Sequence, residues 1–306
     1  MALIQAVNAR EYLAPRYWLT WCLLALMRLM AMLPLPAMVL VGRSVGKLLY
    51  VLLPRRRKVA ETNLRIAFPK ASDAEIKRLL KASTENIAVA TFEVGLTWWK
   101  PDKVFSLCKV EGLDDLRAAQ RMGHGVIILS AHFTCVEIGG PAFNHYAPPY
   151  VVYKSTKNKL FDAFMHYHRR MFPALVDHRK PIGMIRGLKK GYALWYLPDR
   201  DVTSKDTIFL PFFGVEATAL TTTARIARMT ESPVVPYSIR RDSDDRGYTL
   251  TFFPALEGFP SDDVERDTLR INQTLEQLVL QNPEQYLWAH RRYKRRPEGG
   301  SEIYSP

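Results

Sequence analysis

Cysteine is scarce. Only Cys22, Cys108 and Cys135 occur in 306 residues, far apart and odd in number. That pattern excludes a disulfide framework and fits a reducing compartment. Acidic residues are also in short supply: 30 Asp and Glu against 43 Lys and Arg leave a formal charge of +13. Such an excess calls for a negatively charged partner: anionic membrane, phosphorylated lipid, an acidic carrier protein or nucleic acid. No recognisable nucleic-acid module accompanies the charge, which argues against the last of these. His124, His145, His166, His168, His178 and His290 offer no compact zinc spacing, so no metal site and no cofactor are expected. Internal repeats and low-complexity segments are lacking too. The chain is 48% apolar, which excludes disorder, and its length allows one large α/β domain or two small ones.

Charge is nearly absent from Tyr17 to Val41, where Arg28 stands alone. The apolar run approaches the ~20 residues needed to cross a bilayer. Pro34 and Pro36 interrupt it, predicting a helix that ends near Leu33. No small-x-small cleavage site follows, so a secretory signal is disfavoured. Basic residues are denser after the run (Arg43, Lys47, Arg55, Arg56, Arg57, Lys58) than before it (Arg10, Arg16). The positive-inside rule then puts the body of the protein in the cytoplasm, at a membrane. A buried helix in a soluble fold is the alternative. The division predicted is an N-terminal membrane anchor over 1–36 and a catalytic body over 37–306, opening with interfacial helices. Gly42-x-Ser44-x-Gly46 formally matches a nucleophile elbow, but lacks a preceding strand and reads equally as small-x3-small helix packing.

Ser72-Asp73-Ala74-Glu75 has capping-box form and predicts a helix to about Trp98. From residue 108 the pattern alternates. Strands are predicted over 125–131, 150–154, 192–197, 207–213, 233–239 and 248–254. Helices are predicted over 113–121, 134–144, 159–171, 181–190, 220–230 and 262–281. The fold class expected is α/β: a central, mostly parallel or mixed sheet flanked by helices, with hairpin character near 235–254 and an N-terminal membrane-anchoring helix. Ligands of such sheets bind beyond the carboxyl ends of strands. His132, Lys154 and Asp199 each fall at one such end.

The stretch from Gly125 to Gly140 concentrates the chemistry. A β-branched apolar run stops on His132, and Glu137 follows five residues later, before Gly139-Gly140. On one continuous helix the two side chains would lie about 140° apart. If the helix instead begins near Thr134, Glu137 can reach back to the ring and fix its tautomer, making His132 a general base. Cys135, three residues on, is either a nucleophile candidate or a small apolar helix residue.

This His-x4-Glu setting resembles the late acyltransferases of lipid A biosynthesis. So do further landmarks in order along the chain: Tyr17 to Trp21, Asn63-Leu64 with Phe68-Pro69, Val110 to Leu113, Leu188 to Gly191, Trp195 to Asp201, Pro211 to Glu216 and Pro283 to Pro297. The resemblance implies an O-acyltransferase of the bacterial inner membrane, working on its cytoplasmic side without a cofactor. Its donor would be an acyl carrier protein thioester and its acceptor a phosphorylated glycolipid. His132 would take the proton of the acceptor hydroxyl, Glu137 would orient His132, and the acceptor would attack the thioester directly. Amides near Gly139-Gly140 are the first candidates for the oxyanion. Tyr153, Lys154 and Asn158 stand where relatives usually carry Tyr-Arg-Pro and a nearby asparagine; lysine here keeps the charge but loses bidentate recognition. Asp199 is expected to bind acceptor sugar, hold a basic site residue or cap a turn, with Asp201 beside it. Arg228 points to a phosphate or to solvent, and Arg291 and Arg292 open a basic tail for carrier protein or lipid phosphate. Rival readings are an acyltransferase for another lipid, a membrane-anchored hydrolase using Ser44 or Cys135, and a non-catalytic lipid-binding protein.

Overall fold

A computed structural model describes residues 9–202 and 204–304. Four helices lead the chain: α1 (Trp18–Met30), α2 (Leu35–Leu52), α3 (Pro54–Ala67) and α4 (Asp73–Trp99). Pro34 and Pro36 set the α1–α2 break, since proline fits only the first turn of a helix. Ser72 caps α4 as predicted: its hydroxyl accepts from Glu75 N–H while the Glu75 carboxylate accepts from Ser72 N–H.

Helix α1 has 13 residues, about 20 Å of rise, too short for a hydrocarbon core of about 30 Å. Among the described residues, α2 is the helix long and apolar enough to cross a membrane, by length and composition only. Both dock on α4. Leu24 and Met27 of α1 pack with Trp98, and the backbone of Met27 lies against Gly95. Gly42 and Gly46 of α2 sit against Val89 and Glu85. Packing crosses residue 36 without a break: Met30, Leu35 and Met38 share one core with the sheet strands. The outer faces differ. Trp18, Leu19, Leu26 and Leu29 of α1 and Leu40, Leu48 and Val51 of α2 are exposed.

The body follows as α5 (Pro101–Ser106), β1 (Cys108–Glu111), α6 (Leu113–Gln120), β2 (Ile127–Leu129), α7 (Gly139–Tyr146), β3 (Pro149–Tyr153), α8 (Lys159–His168), β4 (Ala174–Asp177), α9 (Pro181–Lys189) and β5 (Ala193–Tyr196). It ends with β6 (Thr207–Phe212), β7 (Val215–Leu220), α10 (Thr222–Thr230), β8 (Val234–Arg241), β9 (Tyr248–Phe252) and α11 (Val264–Gln281). Seven strands form one sheet in the order β1-β9-β8-β2-β5-β3-β4. Every neighbouring pair is parallel except β8 and β9, which make the antiparallel pair expected there. The predicted α/β class, parallel-dominated sheet and flanking helices are what the chain adopts.

Three strands were not foreseen: β1, β4 and β7. Each mixes polar with apolar residues over four to six positions, too short for a clear period. The 207–213 strand is also placed differently, pairing with β7 in a separate two-stranded ribbon. The helix expected over 134–144 starts later, at Gly139, after a 3-10 turn over Val136–Ile138. Pro141 explains the delay, because proline is tolerated only near a helix start.

Candidate active site

Strand β2 lies at the middle of the sheet, with β5 beside it and Leu129 level with Tyr196. The register decides what meets beyond the strand ends. His132 is three residues past Leu129, and Asp199 is three past Tyr196. The two segments leave parallel neighbours level, so the imidazole and the carboxylate come face to face. His132 Nδ1 lies 2.5 Å from Asp199 Oδ1, and His132 N–H donates to Asp199 Oδ2 at 2.8 Å. One carboxylate thus holds both the ring and the backbone of the histidine.

Asp199 is 1% exposed, whereas the His132 side chain is 25% exposed. Burial pushes the Asp199 carboxyl up; the His132 ring, its hydrogen bonds and the Tyr286 hydroxyl outweigh this and hold it at about 2. With Nδ1 committed to the carboxylate, Nε2 is left to receive a proton.

Glu137 does not take the role expected of it. It sits in the 3-10 turn and accepts from Arg169, just after α8; no hydrogen bond joins it to His132. The late start of α7 is the physical reason, because it carries Glu137 toward α8 instead of back over the ring. Gly139 N–H is used within the same turn, bonding to Glu137 and Val136 carbonyls, so it is not a spare oxyanion donor. Gly139 itself is required: a Cβ there would meet the Tyr237 hydroxyl at 2.5 Å.

A C-terminal strap completes the site. Thr134 N–H donates to Gln285 C=O at 2.7 Å, and Leu287 N–H donates to His132 C=O at 3.1 Å. Phe133 and Tyr286 form an isolated antiparallel bridge, and Tyr286 O–H reaches Asp199. Gln285 is anchored in turn, its amide bracketing the backbone of Arg241. The sequence reading assigned no role to Tyr286, Gln285 or Arg169; the Pro283 to Pro297 landmark was the signal available for the first two.

The other expected site residues divide. Lys154 is exposed beyond β3, at the same end of the sheet as His132 and Asp199. Tyr153 turns inward, its hydroxyl donating to Asp162, with the Arg169 guanidinium 5.7 Å over its ring. Asn158 caps α8 by accepting from Phe161 N–H at 3.1 Å, and its amide donates to Thr20 at 2.6 Å. Asp201 accepts from Arg295 at 2.9 Å and Thr218 at 2.7 Å, while its N–H donates to His290 Nε2 at 3.1 Å. Burial, helped by the Arg200 charge, pushes His290 down to about 4 and keeps it a neutral acceptor.

Arg228 pairs with exposed Asp262 at 2.7 Å, on an outer face of α10. Arg291 lies over the Tyr304 ring. Arg292 is 3% exposed, bonds Thr218 C=O at 2.6 Å and stacks on Phe212. Arg292 therefore folds inward on β7, while Arg291 and Lys294 stay exposed and Arg295 and Arg296 are half-buried. The hydrolase candidates fare no better. Ser44 lies in mid-helix and bonds Leu40 C=O at 2.9 Å, and burial pushes the Cys135 thiol far up. Among the described residues no cluster of potential metal ligands occurs.

Residues 6–295 match the model of the bacterial lipid A biosynthesis acyltransferases. The chain belongs to this family. It is 35% identical to the lipid A biosynthesis lauroyltransferase of Escherichia coli K12, covering 95% of this chain and 96% of that one. Identity is also 35% to the palmitoleoyltransferase of the same organism, over 98% of this chain and 99% of that one. The 1-acyl-sn-glycerophosphate acyltransferase of Thermotoga maritima gives a TM-score of 0.38 at 14% identity, over 80% of this chain and 96% of that one. At the strand ends of this lipid A acyltransferase, His132 is a partly exposed histidine held by a buried carboxylate.

Proposed function

We propose that the protein transfers a fatty acyl chain from an acyl carrier protein thioester to a hydroxyl of a phosphorylated glucosamine disaccharide lipid. His132 Nε2 takes the proton of the hydroxyl as its oxygen attacks the thioester carbonyl carbon. The carbon–sulfur bond then breaks, and the imidazolium returns the proton to the leaving thiolate. No covalent enzyme intermediate is needed, because the thioester is already activated. Asp199 is the positioning residue: it fixes the tautomer and stabilises the imidazolium. Glu137, paired with Arg169, shapes the turn that carries the histidine. The observation that carries this reading is the His132–Asp199 pair, 2.5 Å apart beyond β2 and β5.

The exposed apolar faces of α1 and α2 support association with a membrane, with both helices lying in one leaflet of the bacterial inner membrane on its cytoplasmic side. Charges at Arg43, Lys47 and Arg55 to Lys58 suit an anionic leaflet. A direct test is the mass of the lipid product after incubation with acyl carrier thioesters and a tetra-acylated precursor. A gain of one acyl chain supports the reading; thioester hydrolysis to free acid, with the lipid unchanged, sinks it.

A further inference from the structure

A groove of about 440 Å³ lies apart from the His132–Asp199 pair, lined by Arg16, Tyr17, Lys157, Asn158 and Lys159. Two distant segments build it: the turn leading into α1 and the loop between β3 and α8. The 2.6 Å bond from Asn158 to Thr20 ties them together, so the cations converge by construction. Arg16 stacks over the Tyr17 ring at 4.9 Å, which orients its guanidinium without neutralising it.

The three cations form no ion pair among the described residues. Arg169, Arg241 and Arg295 each have a carboxylate partner, but Arg16, Lys157 and Lys159 pair with none among the described residues. Asp162, the acid nearest the two lysines in sequence, is turned inward to Tyr153 and Thr156, and Glu11, nearest Arg16, lies toward Tyr12. The positive end of α8 faces the same loop. Three cations around one recess favour a compact dianion, and a phosphate monoester carries roughly −1.5 to −2 near neutral pH. The neighbourhood indicates a lipid as its source. Trp18 and Leu19, 61% and 83% exposed, begin the bare apolar face of α1 immediately beside the groove. A phosphate in the groove therefore sits at headgroup level, with acyl chains along α1.

Resting on the acyltransferase reading above, we infer that this groove is the binding site for a phosphate monoester on the headgroup of the acceptor lipid. It orients the acceptor hydroxyl toward His132 from the side of β3, where Lys154 is exposed.

The test is binding of the full-length protein to nanodiscs holding the phosphorylated acceptor or its phosphatase-treated counterpart, followed by KM in the transfer assay. Wild type is expected to prefer the phosphorylated lipid by about tenfold or more. In Arg16→Ala/Lys157→Ala/Lys159→Ala, that preference falls to near unity in both binding and KM. All three side chains are exposed, and a thermal melt checks folding. A control, Lys77→Ala/Arg78→Ala/Lys81→Ala on the exposed side of α4, keeps the preference. Equal loss in the control makes the effect one of net charge and overturns the site. So does a triple variant that keeps the preference, or one that changes KM for the carrier protein alone. Inorganic phosphate abolishing the preference at concentrations near the acceptor KM would assign the groove to free phosphate and overturn the lipid assignment. Phosphate-dependent binding without any acyl transfer would leave the groove standing and fail the acyltransferase reading.

Discussion

The proposed chemistry turns on which carboxylate holds His132 Nδ1. Asp199 is 67 residues away in sequence, and only the β2–β5 register brings it there, so no local motif reveals the pairing. Asp199→Asn is expected to lower kcat roughly a thousandfold or more, by removing the charge that supports the imidazolium. Glu137→Gln should cost about a hundredfold at most, since it loosens the turn and the Arg169 pair without touching the ring. Equal losses in the two variants would contradict this division. Asp199 also bears on acid stability. Its folded pKa of about 2 lies below its ordinary 3.8, so its contribution is present above about pH 4 and lost as pH falls through 2. The stabilisation is of order 2 kcal/mol. Histidine at a strand end was legible because an apolar β-branched run stops abruptly there; Tyr286 and Gln285 were not, because their contacts are tertiary.

Among the elements, α4 ties the N-terminal helices to the sheet. Its Glu93 is buried with Arg241 of β8 at 2.8 Å, and Tyr248 of β9 adds a bond to the same oxygen at 2.9 Å. Arg241→Ala leaves that carboxylate buried without its cation and should cost about 3–5 kcal/mol in chemical denaturation. A loss under about 1 kcal/mol would show that water reaches Glu93 freely. Helix α4 was legible from its capping box and apolar period. The buried pair inside it was not, since a lone Glu in a helix ordinarily faces solvent. The Gly42-x-Ser44-x-Gly46 ambiguity is resolved by packing: both glycines face α4, and Ser44→Ala should leave acyl transfer within roughly twofold of wild type. A large loss would reopen the hydrolase reading. The strands β1, β4 and β7 escaped detection because short mixed segments gain their β conformation from neighbours rather than from their own pattern.

At the scale of the whole molecule, charge and apolar surface act together. Binding to vesicles containing anionic lipid should weaken as salt rises, while Leu19→Asp and Leu26→Asp should weaken it at any salt. Salt-independent binding that survives both substitutions would contradict an interfacial seat for α1. Stability should fall in mild acid. Burial pushes His168, stacked on Trp98, and His290 each down to about 4. Unfolded histidine takes up protons from about pH 6.5, so stability is whole above that value and falls as pH drops toward 4, by an amount that the partial exposure of both rings reduces. A thermal melting point unchanged between pH 7 and 5 would count against it. The α/β architecture was legible because strand and helix periods alternate cleanly. The inward turn of Arg292 onto Thr218 was not legible, because charge alone does not tell a solvated cation from one folded onto a carbonyl.

The measurement to make first is the lipid mass after incubating wild type, His132→Ala and Asp199→Asn with acyl carrier thioester and the phosphorylated acceptor. The expected result is one added acyl chain with wild type, none with His132→Ala and only a trace with Asp199→Asn. Undiminished acylation by His132→Ala would contradict the assignment of the base and, with it, the active site itself.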